Sequence, residues 1–203
     1  MKILVIGGTG TLGSEVVSLL RKEHEVIAVG RSRGDYQVDI ENKDSIKKMF
    51  EDIGPVDGII STAGDGKMAP FQIQSDEDLD LAINSKLRGQ IDLIRYGVHS
   101  VKENGFIIVT TGTASHTYMP GASSITMANV GLEGYIHAIN VEQFNGVRVN
   151  AVSPFFIKET VEMMGFDIPN AIPAADTATV YKAVMESKES GIVADVAEYL
   201  NRE

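Results

Sequence analysis

The segment Ile3-Leu4-Val5-Ile6-Gly7-Gly8-Thr9-Gly10-Thr11-Leu12-Gly13 constrains this chain more than any other. Four apolar residues in a row read as a strand buried on both faces, the kind that belongs in a parallel sheet. Glycines follow at once, and then Leu12, Val16, Leu19 and Leu20 recur at helical spacing. A strand that enters a helix through such a turn brings unpaired backbone N–H groups and the positive end of the helix dipole to the edge of the sheet. Gly8, Gly10 and Gly13 satisfy Gly-x-Gly-x-x-Gly, while Gly7, Gly10 and Gly13 satisfy Gly-x-x-Gly-x-x-Gly. Either spacing alone is a weak signal. Between a buried strand and a helix it predicts a pyrophosphate seated on the helix N-terminus, and hence a dinucleotide contacted by Gly7, Thr9, Gly10, Thr11, Leu12 and Gly13. A tight turn with no ligand is the other reading.

The rest of the chain repeats the same alternation. Strand-like runs fall at Glu25 to Val29, Tyr36 to Val38, Val56 to Ser61, Phe106 to Thr110, Val147 to Val152 and Gly191 to Val196. Helical patterns lie between them: from Asp44 to Ile53, from Ser75 towards Lys102 with a break at Gly89, from Ala122 to Phe144, and from Asp176 to Ser187. Ser75 with Asp78 three residues on forms a capping-box signal. No linker, repeat or low-complexity tract interrupts the 203 residues. The prediction is one α/β domain over 1–203, a Rossmann-type doubly wound, mainly parallel sheet of about seven strands with helices on both faces.

Composition narrows the function. A net charge of −10 supplies no basic footprint for phosphates, so no nucleic-acid partner is expected. The absence of cysteine excludes disulfides, thiol catalysis and thiolate metal sites. No His/Asp/Glu cluster has metal spacing, so no metal is expected. No apolar run reaches membrane-spanning length, and Lys2 to Ile6 is too short for a signal-peptide core; no membrane association and a cytoplasmic setting are the expectations.

The end of the second strand bears on which dinucleotide. A carboxylate there takes the ribose hydroxyls of NAD. This chain has Gly30-Arg31-Ser32-Arg33 instead. A guanidinium at Arg31, beside Ser32, suits a 2′-phosphate, which favours NADP over NAD. Two solvated surface arginines are the alternative.

With these residues in place the chain resembles the short-chain dehydrogenase/reductase superfamily over nearly its whole length. Asp39-Ile40 stands where the family's aspartate meets the adenine. Ser61-Thr62-Ala63-Gly64 is similar to the family's Asn-Asn-Ala-Gly, which places Ala63 and Gly64 at the adenosine ribose. Ile83-Asn84 matches the helix asparagine of the proton relay, and Val109-Thr110-Thr111 stands where a Ser-Ser pair ends the fifth strand. Arg148-Val149-Asn150-Ala151-Val152-Ser153-Pro154 resembles Arg-Val-Asn-x-Val-x-Pro-Gly, with Phe155 replacing the glycine and Pro154 beside the cofactor. The resemblance implies an NADP-dependent oxidoreductase that exchanges hydride with a small carbonyl/alcohol substrate. It also implies a homodimer or homotetramer built through the two long helices beside the fifth strand, with Ala128, Gly131, Gly134, Tyr135 and Ala138 allowing close approach.

One departure matters. The family's Tyr-x-x-x-Lys opens the long helix; here Ile125 stands at the tyrosine position and Asn129 at the lysine position. Asn129 keeps a hydrogen-bonding group for a ribose hydroxyl but carries no charge to lower a phenol's pKa. The residues left to polarise a substrate oxygen are Thr111, Asn84 and a loop group such as Tyr118 or His116, with Lys86 as a cation for Tyr118. A catalytically silent NADP(H)-binding sensor or regulator is the alternative, and a non-redox isomerase or dehydratase a third reading. Phe155, Phe156, Ile157, Met163, Met164 and Phe166 form an apolar run after the sixth strand, read as buried packing or as contact with an apolar substrate or subunit.

Overall fold

The computed structural model describes residues 1–142 and 144–201. Its strands are β1 (Lys2–Ile6), β2 (Glu25–Gly30), β3 (Tyr36–Gln37), β4 (Val56–Ser61), β5 (Val101–Thr110), β6 (Arg148–Ser153) and β7 (Val193–Asp195). Among the described residues they form one seven-stranded sheet in the order β3-β2-β1-β4-β5-β6-β7. Every pairing is parallel. The helices are α1 (Thr11–Leu20), α2 (Lys43–Ile53), α3 (Asp76–Leu81), α4 (Gln90–Gly97), α5 (Ser123–Asn140), α6 (Lys158–Met163), α7 (Ala174–Glu186) and α8 (Val196–Leu200). This is the doubly wound Rossmann-type architecture that the alternation predicts.

Period-two alternation explains how one apolar run serves two cores. On β1, Ile3 and Val5 join Val16, Val17 and Leu20 of α1 and Val180, Tyr181 and Val184 of α7. Leu4 and Ile6 point the other way, into Ile46 and Met49 of α2, Leu93 of α4 and Leu132 and Ile136 of α5. Each fully buried side chain of this size stabilises the fold by about 1.5–3 kcal/mol.

Three boundaries differ from the sequence reading by more than two residues. The helix after Ser75 does not break at Gly89: a π-helical segment, Ala82–Gly89, carries α3 into α4, which stops at Gly97. The strand expected at Phe106 begins at Val101, because polar Lys102, Glu103 and Asn104 extend it as an exposed stretch, with a register shift between Val56 and Gly58 opposite. The long helix ends at Asn140, short of Phe144; Gln143, inside the expected span, lies outside the described residues. The short α6 and α8 have no signal in the apolar pattern; α8 is started by Asp195, whose side chain accepts from the Glu198 N–H at 3.1 Å. The Ser75–Asp78 capping box is present as read.

The strand order places the site. From β1 the chain winds outward to β2 and β3, then returns to lay β4 on the other side of β1. The connections leaving β1 and β4 therefore diverge and open a crevice beyond their carboxyl ends. Gly7 makes the first turn there with φ of +79°, a region a side chain rarely adopts. A Cβ on Gly7 would lie 2.7 Å from Thr62 Oγ1, and one on Gly13 would collide with the Gly7 carbonyl oxygen and lie 2.6 Å from Thr62 Oγ1. Replacing Gly13 by Ala therefore forces backbone apart at a point where three segments meet. The expected loss is about 1–3 kcal/mol of folding stability, read from the midpoint of a urea titration at unchanged slope.

Candidate functional site

The crevice between β1 and β4 holds a cleft of about 260 Å³. Its floor is backbone. Gly7, Thr9 and Gly10 come from the turn after β1, and Ala63 and Gly64 from the turn after β4. Gly10 is the N-cap of α1, with no side-chain cap and no acidic residue in the first turn. The first N–H groups of α1 thus open onto the cleft without a competing carboxylate, an arrangement that attracts an anion. The turn is held from both sides: Gly8 N–H donates to Val29 O at 2.9 Å, Gly10 N–H to Gly7 O at 2.9 Å and Thr62 N–H to Ile6 O at 2.8 Å.

At the other end of the cleft lie Arg31, Asp39 and Ile40. Arg31 is open to solvent, its side chain 69% exposed, with Asp39 and Glu41 carboxylate oxygens each 3.9 Å from its guanidinium. These are loose ion pairs, which leave the guanidinium free to turn to another anion. Arg33 donates to the Thr9 carbonyl at 2.8 Å and so ties the β2–β3 connection to the glycine turn. Gly30 keeps that junction tight: a Cβ there would run into Arg33 and Thr9.

Eight of the residues assigned to a cofactor from sequence line this one cleft: Gly7, Thr9, Gly10, Arg31, Asp39, Ile40, Ala63 and Gly64. Thr11, Leu12 and Gly13 sit in the first turn of α1 behind it, Ser32 lies beside it with its carbonyl accepting from Gln37 Nε2 at 2.9 Å, and Asn129 and Pro154 stand further along the sheet edge. Val38, Glu41, Asp65 and Ser85 also line the cleft and carry no motif that marks them. Asp65 has one audible signal, its place directly after Ala63-Gly64.

The second half of the site lies at the end of β5. Thr111 is 2% exposed, and its hydroxyl has no hydrogen-bond partner. Asn129 of α5 is 1% exposed; its Nδ2 donates to Gly112 O at 3.1 Å while its Oδ1 has no partner. Gln90 fastens α4 to this strand end, its amide donating to Thr110 O at 2.8 Å and to Lys86 O at 3.0 Å and accepting from Thr110 N–H at 2.9 Å.

The π-helical segment decides which of its residues face the site. Asn84 is turned to solvent, and Ser85 and Lys86 are turned in. Ser85 Oγ accepts from Asp65 N–H at 3.1 Å, and Lys86 Nζ donates to Thr111 O at 3.2 Å. Burial pushes the Lys86 ammonium down to about 8, against a smaller upward pull from Asp65. Asn84, read from the sequence as the relay asparagine, is thus exposed, while the two residues after it pack inward. Tyr118 is 78% exposed in the loop between β5 and α5, and the Lys86 ammonium is bonded to Thr111 O. His116 faces Asp195 at 3.7 Å from the same loop and is more than half exposed. Elsewhere, the Tyr181 phenol on α7 is pushed up by burial and hydrogen-bonded to Thr110 Oγ1, which donates to Ser61 O. That chain braces β4 and β5 from beneath. After β6, Phe155 and Phe156 stack edge to face, but Met163, Met164 and Phe166 are exposed, so buried packing does not account for them.

Among the described residues no group of His, Asp and Glu side chains could hold a metal ion, and no helix is long and apolar enough to cross a membrane.

Comparison with known proteins gives a consistent result. A family model described as enoyl-(acyl carrier protein) reductase matches residues 13–201. The crystal structure of a Listeria innocua protein is 37% identical, with a TM-score of 0.92, covering 97% of this chain and 99% of that one. A small-chain dehydrogenase solved in complex with NADPH is 24% identical, with a TM-score of 0.85, covering 96% and 95%. An uncharacterized oxidoreductase of Schizosaccharomyces pombe is 28% identical over 75% of this chain, which spans 65% of that protein's length. The cleft, the sheet order and the match across almost all of the sequence place the chain in the short-chain dehydrogenase/reductase superfamily, within the family described as enoyl-(acyl carrier protein) reductase.

Proposed function

We propose that the chain is an NADP(H)-dependent oxidoreductase acting on a small carbonyl/alcohol pair. The observation that carries this reading is that one edge of the sheet holds both a glycine cradle open to an anion, after β1, and a buried hydroxyl with no partner of its own, Thr111 after β5, with β4 between them. A bound nicotinamide dinucleotide supplies or accepts the hydride. The protein's residues do the rest. Gly7, Gly10 and the first turn of α1 hold the pyrophosphate. Asp39 and Ile40 flank the adenine, and Ala63 and Gly64 the adenosine ribose. Arg31, with Ser32 beside it, takes the 2′-phosphate by charge-assisted hydrogen bonds, exchanging its loose pairs with Asp39 and Glu41 for a nearer anion. The complex of the 24%-identical dehydrogenase with NADPH supports the same choice of cofactor. Asn129, whose Oδ1 has no partner in the protein, accepts from a ribose hydroxyl, and Thr111 donates its hydroxyl to the substrate oxygen and so favours charge developing there.

The replacement of the family's tyrosine and lysine by Ile125 and Asn129 favours a second reading, a sensor that binds NADP(H) and turns nothing over. Following NADPH absorbance with aldehydes, ketones, quinones and enoyl thioesters separates the two. Oxidation with a carbonyl compound is the expected result; tight NADPH binding with no turnover on any compound would establish the sensor. We further propose that copies pair through α4 and α5. On α5, Gly134 has open space around it, and Met127 and Val130 are 41% and 48% exposed. Static light scattering is expected to give twice the chain mass at micromolar concentration, and a monomer mass would remove this reading. Replacing Arg31 by Ala is expected to raise the Kd for NADPH about 10–100-fold and leave that for NADH within about threefold, as measured by fluorescence titration, since a hydrogen bond to a charged group is worth about 1.5–3 kcal/mol.

A further inference from the structure

The site as described lacks a group that can deliver a proton. Thr111 polarises but does not ionise near neutrality, Asn129 is uncharged, and Asn84 and Tyr118 are turned to solvent. Lys86 is the ionisable group the fold brings to this point. Its ammonium lies 3.2 Å from the carbonyl oxygen of Thr111, the residue whose hydroxyl is buried without a partner. Lys86 packs against Gly64, which lines the dinucleotide cleft: a Cβ on Gly64 would lie 3.2 Å from Lys86 Cα and 3.6 Å from its Cγ. Its far end approaches α5 at Ile125, since a Cβ on Gly66 would touch Ile125 at 2.9 Å and Lys86 Cδ at 3.8 Å. The Lys86 side chain and Ile125, which stands where the family's tyrosine is missing, thus pack around the same glycine.

The surroundings leave this ammonium available. From the connection after β4, Asp65 is the charged group that acts on it. Lys67 of the same connection is held by Asp78 at 2.9 Å, and Arg88 of the π-helical segment by Asp92 at 2.7 Å. The β5 end offers a backbone carbonyl, and α5 offers an alkyl side chain. No carboxylate is paired with Lys86 among the ion pairs of the described residues.

Resting on the oxidoreductase reading above, we propose that Lys86 is the proton donor of the reaction, its ammonium protonating the carbonyl oxygen that Thr111 polarises. The balance is complete. The carbonyl carbon gains a hydride from a reduced nicotinamide dinucleotide, which is thereby oxidised. One N–H bond of Lys86 breaks as the O–H bond of the alcohol forms, and the amine recovers its proton from water. A cation poised to lose its proton near pH 8 suits this role, as an acid works best when its pKa is near the working pH.

The test uses the full chain, Lys86→Met and Lys86→Arg. With a carbonyl substrate and NADPH, kcat/KM of the parent is expected to be level below about pH 8 and to fall tenfold per unit above it. Lys86→Met should lose at least about 100-fold in kcat with its Kd for NADPH within about threefold of the parent, the usual scale for removing a general acid. Lys86→Arg, permanently charged, should be slow and show no such fall. A readout independent of turnover is the melting temperature without ligand. The lysine pKa is lower folded than the ordinary lysine value of 10.5, so the charged form is penalised in the fold, fully below about pH 8. The parent should melt below Lys86→Met at pH 7, and the gap should close as pH rises towards 10.5. Turnover by Lys86→Met within threefold of the parent, or a parent profile flat through pH 9, would overturn the role while leaving the oxidoreductase reading intact. A parent that reduces no carbonyl compound overturns both, and the melting-temperature gap then still reports whether the ammonium is buried where the structure puts it.

Discussion

The site depends on the close approach of two backbone turns, the one after β1 and the one after β4. Thr62 donates its N–H to Ile6 O at 2.8 Å, and its hydroxyl donates to the same carbonyl at 3.2 Å. That places Thr62 Oγ1 where a Cβ on either Gly7 or Gly13 would be. With no side chain at those two positions, α1 starts directly over the edge of the sheet and aims its first N–H groups into the crevice. The two turns would be forced apart by a single methyl group. The cradle, the cleft beside it and the angle of α1 are therefore one feature with one cause.

This cause is local, which is why the dinucleotide half of the site is legible in the sequence. A glycine required by a positive φ or by a backbone contact announces itself in the residue type, and the buried strand before it announces its context. The sheet is legible for a related reason: Ile3 to Ile6, Ile59-Ile60 and Phe106 to Val109 are apolar runs that suit a doubly covered layer. The same rule fails for Val101 to Gly105, where the strand runs past the covered region and its residues turn polar. It fails for α6 and α8 as well, which are too short for a helical period to show.

The chemical half is a different matter. Whether Asn84 or Lys86 faces the end of β5 is a question of helical register, and the register here is set by a widened π turn that no residue type marks. Gln90 carries part of that geometry: its amide bonds Lys86 O one turn back and Thr110 O twenty residues on, and the second contact, distant in sequence, fixes the segment to the strand. Tyr118 fails for the opposite reason. Loop residues have no period, and its position near the long helix says nothing about its direction; it stands outside. A lysine two residues beyond a matched motif, next to a position that has lost its acid, was the available clue, and only the fold turns it into a juxtaposition.

The proposed function divides its labour along one sheet edge, with anion recognition assigned to β1 and β4 and oxygen polarisation to β5. The most direct test of the first part is amide NMR of the chain titrated with NADP⁺. The largest shift changes are expected at Gly7, Thr9, Gly10, Gly30 and Ala63, with β6 and β7 unmoved. Changes centred on another face, or none at millimolar dinucleotide, would contradict the assignment of this cleft.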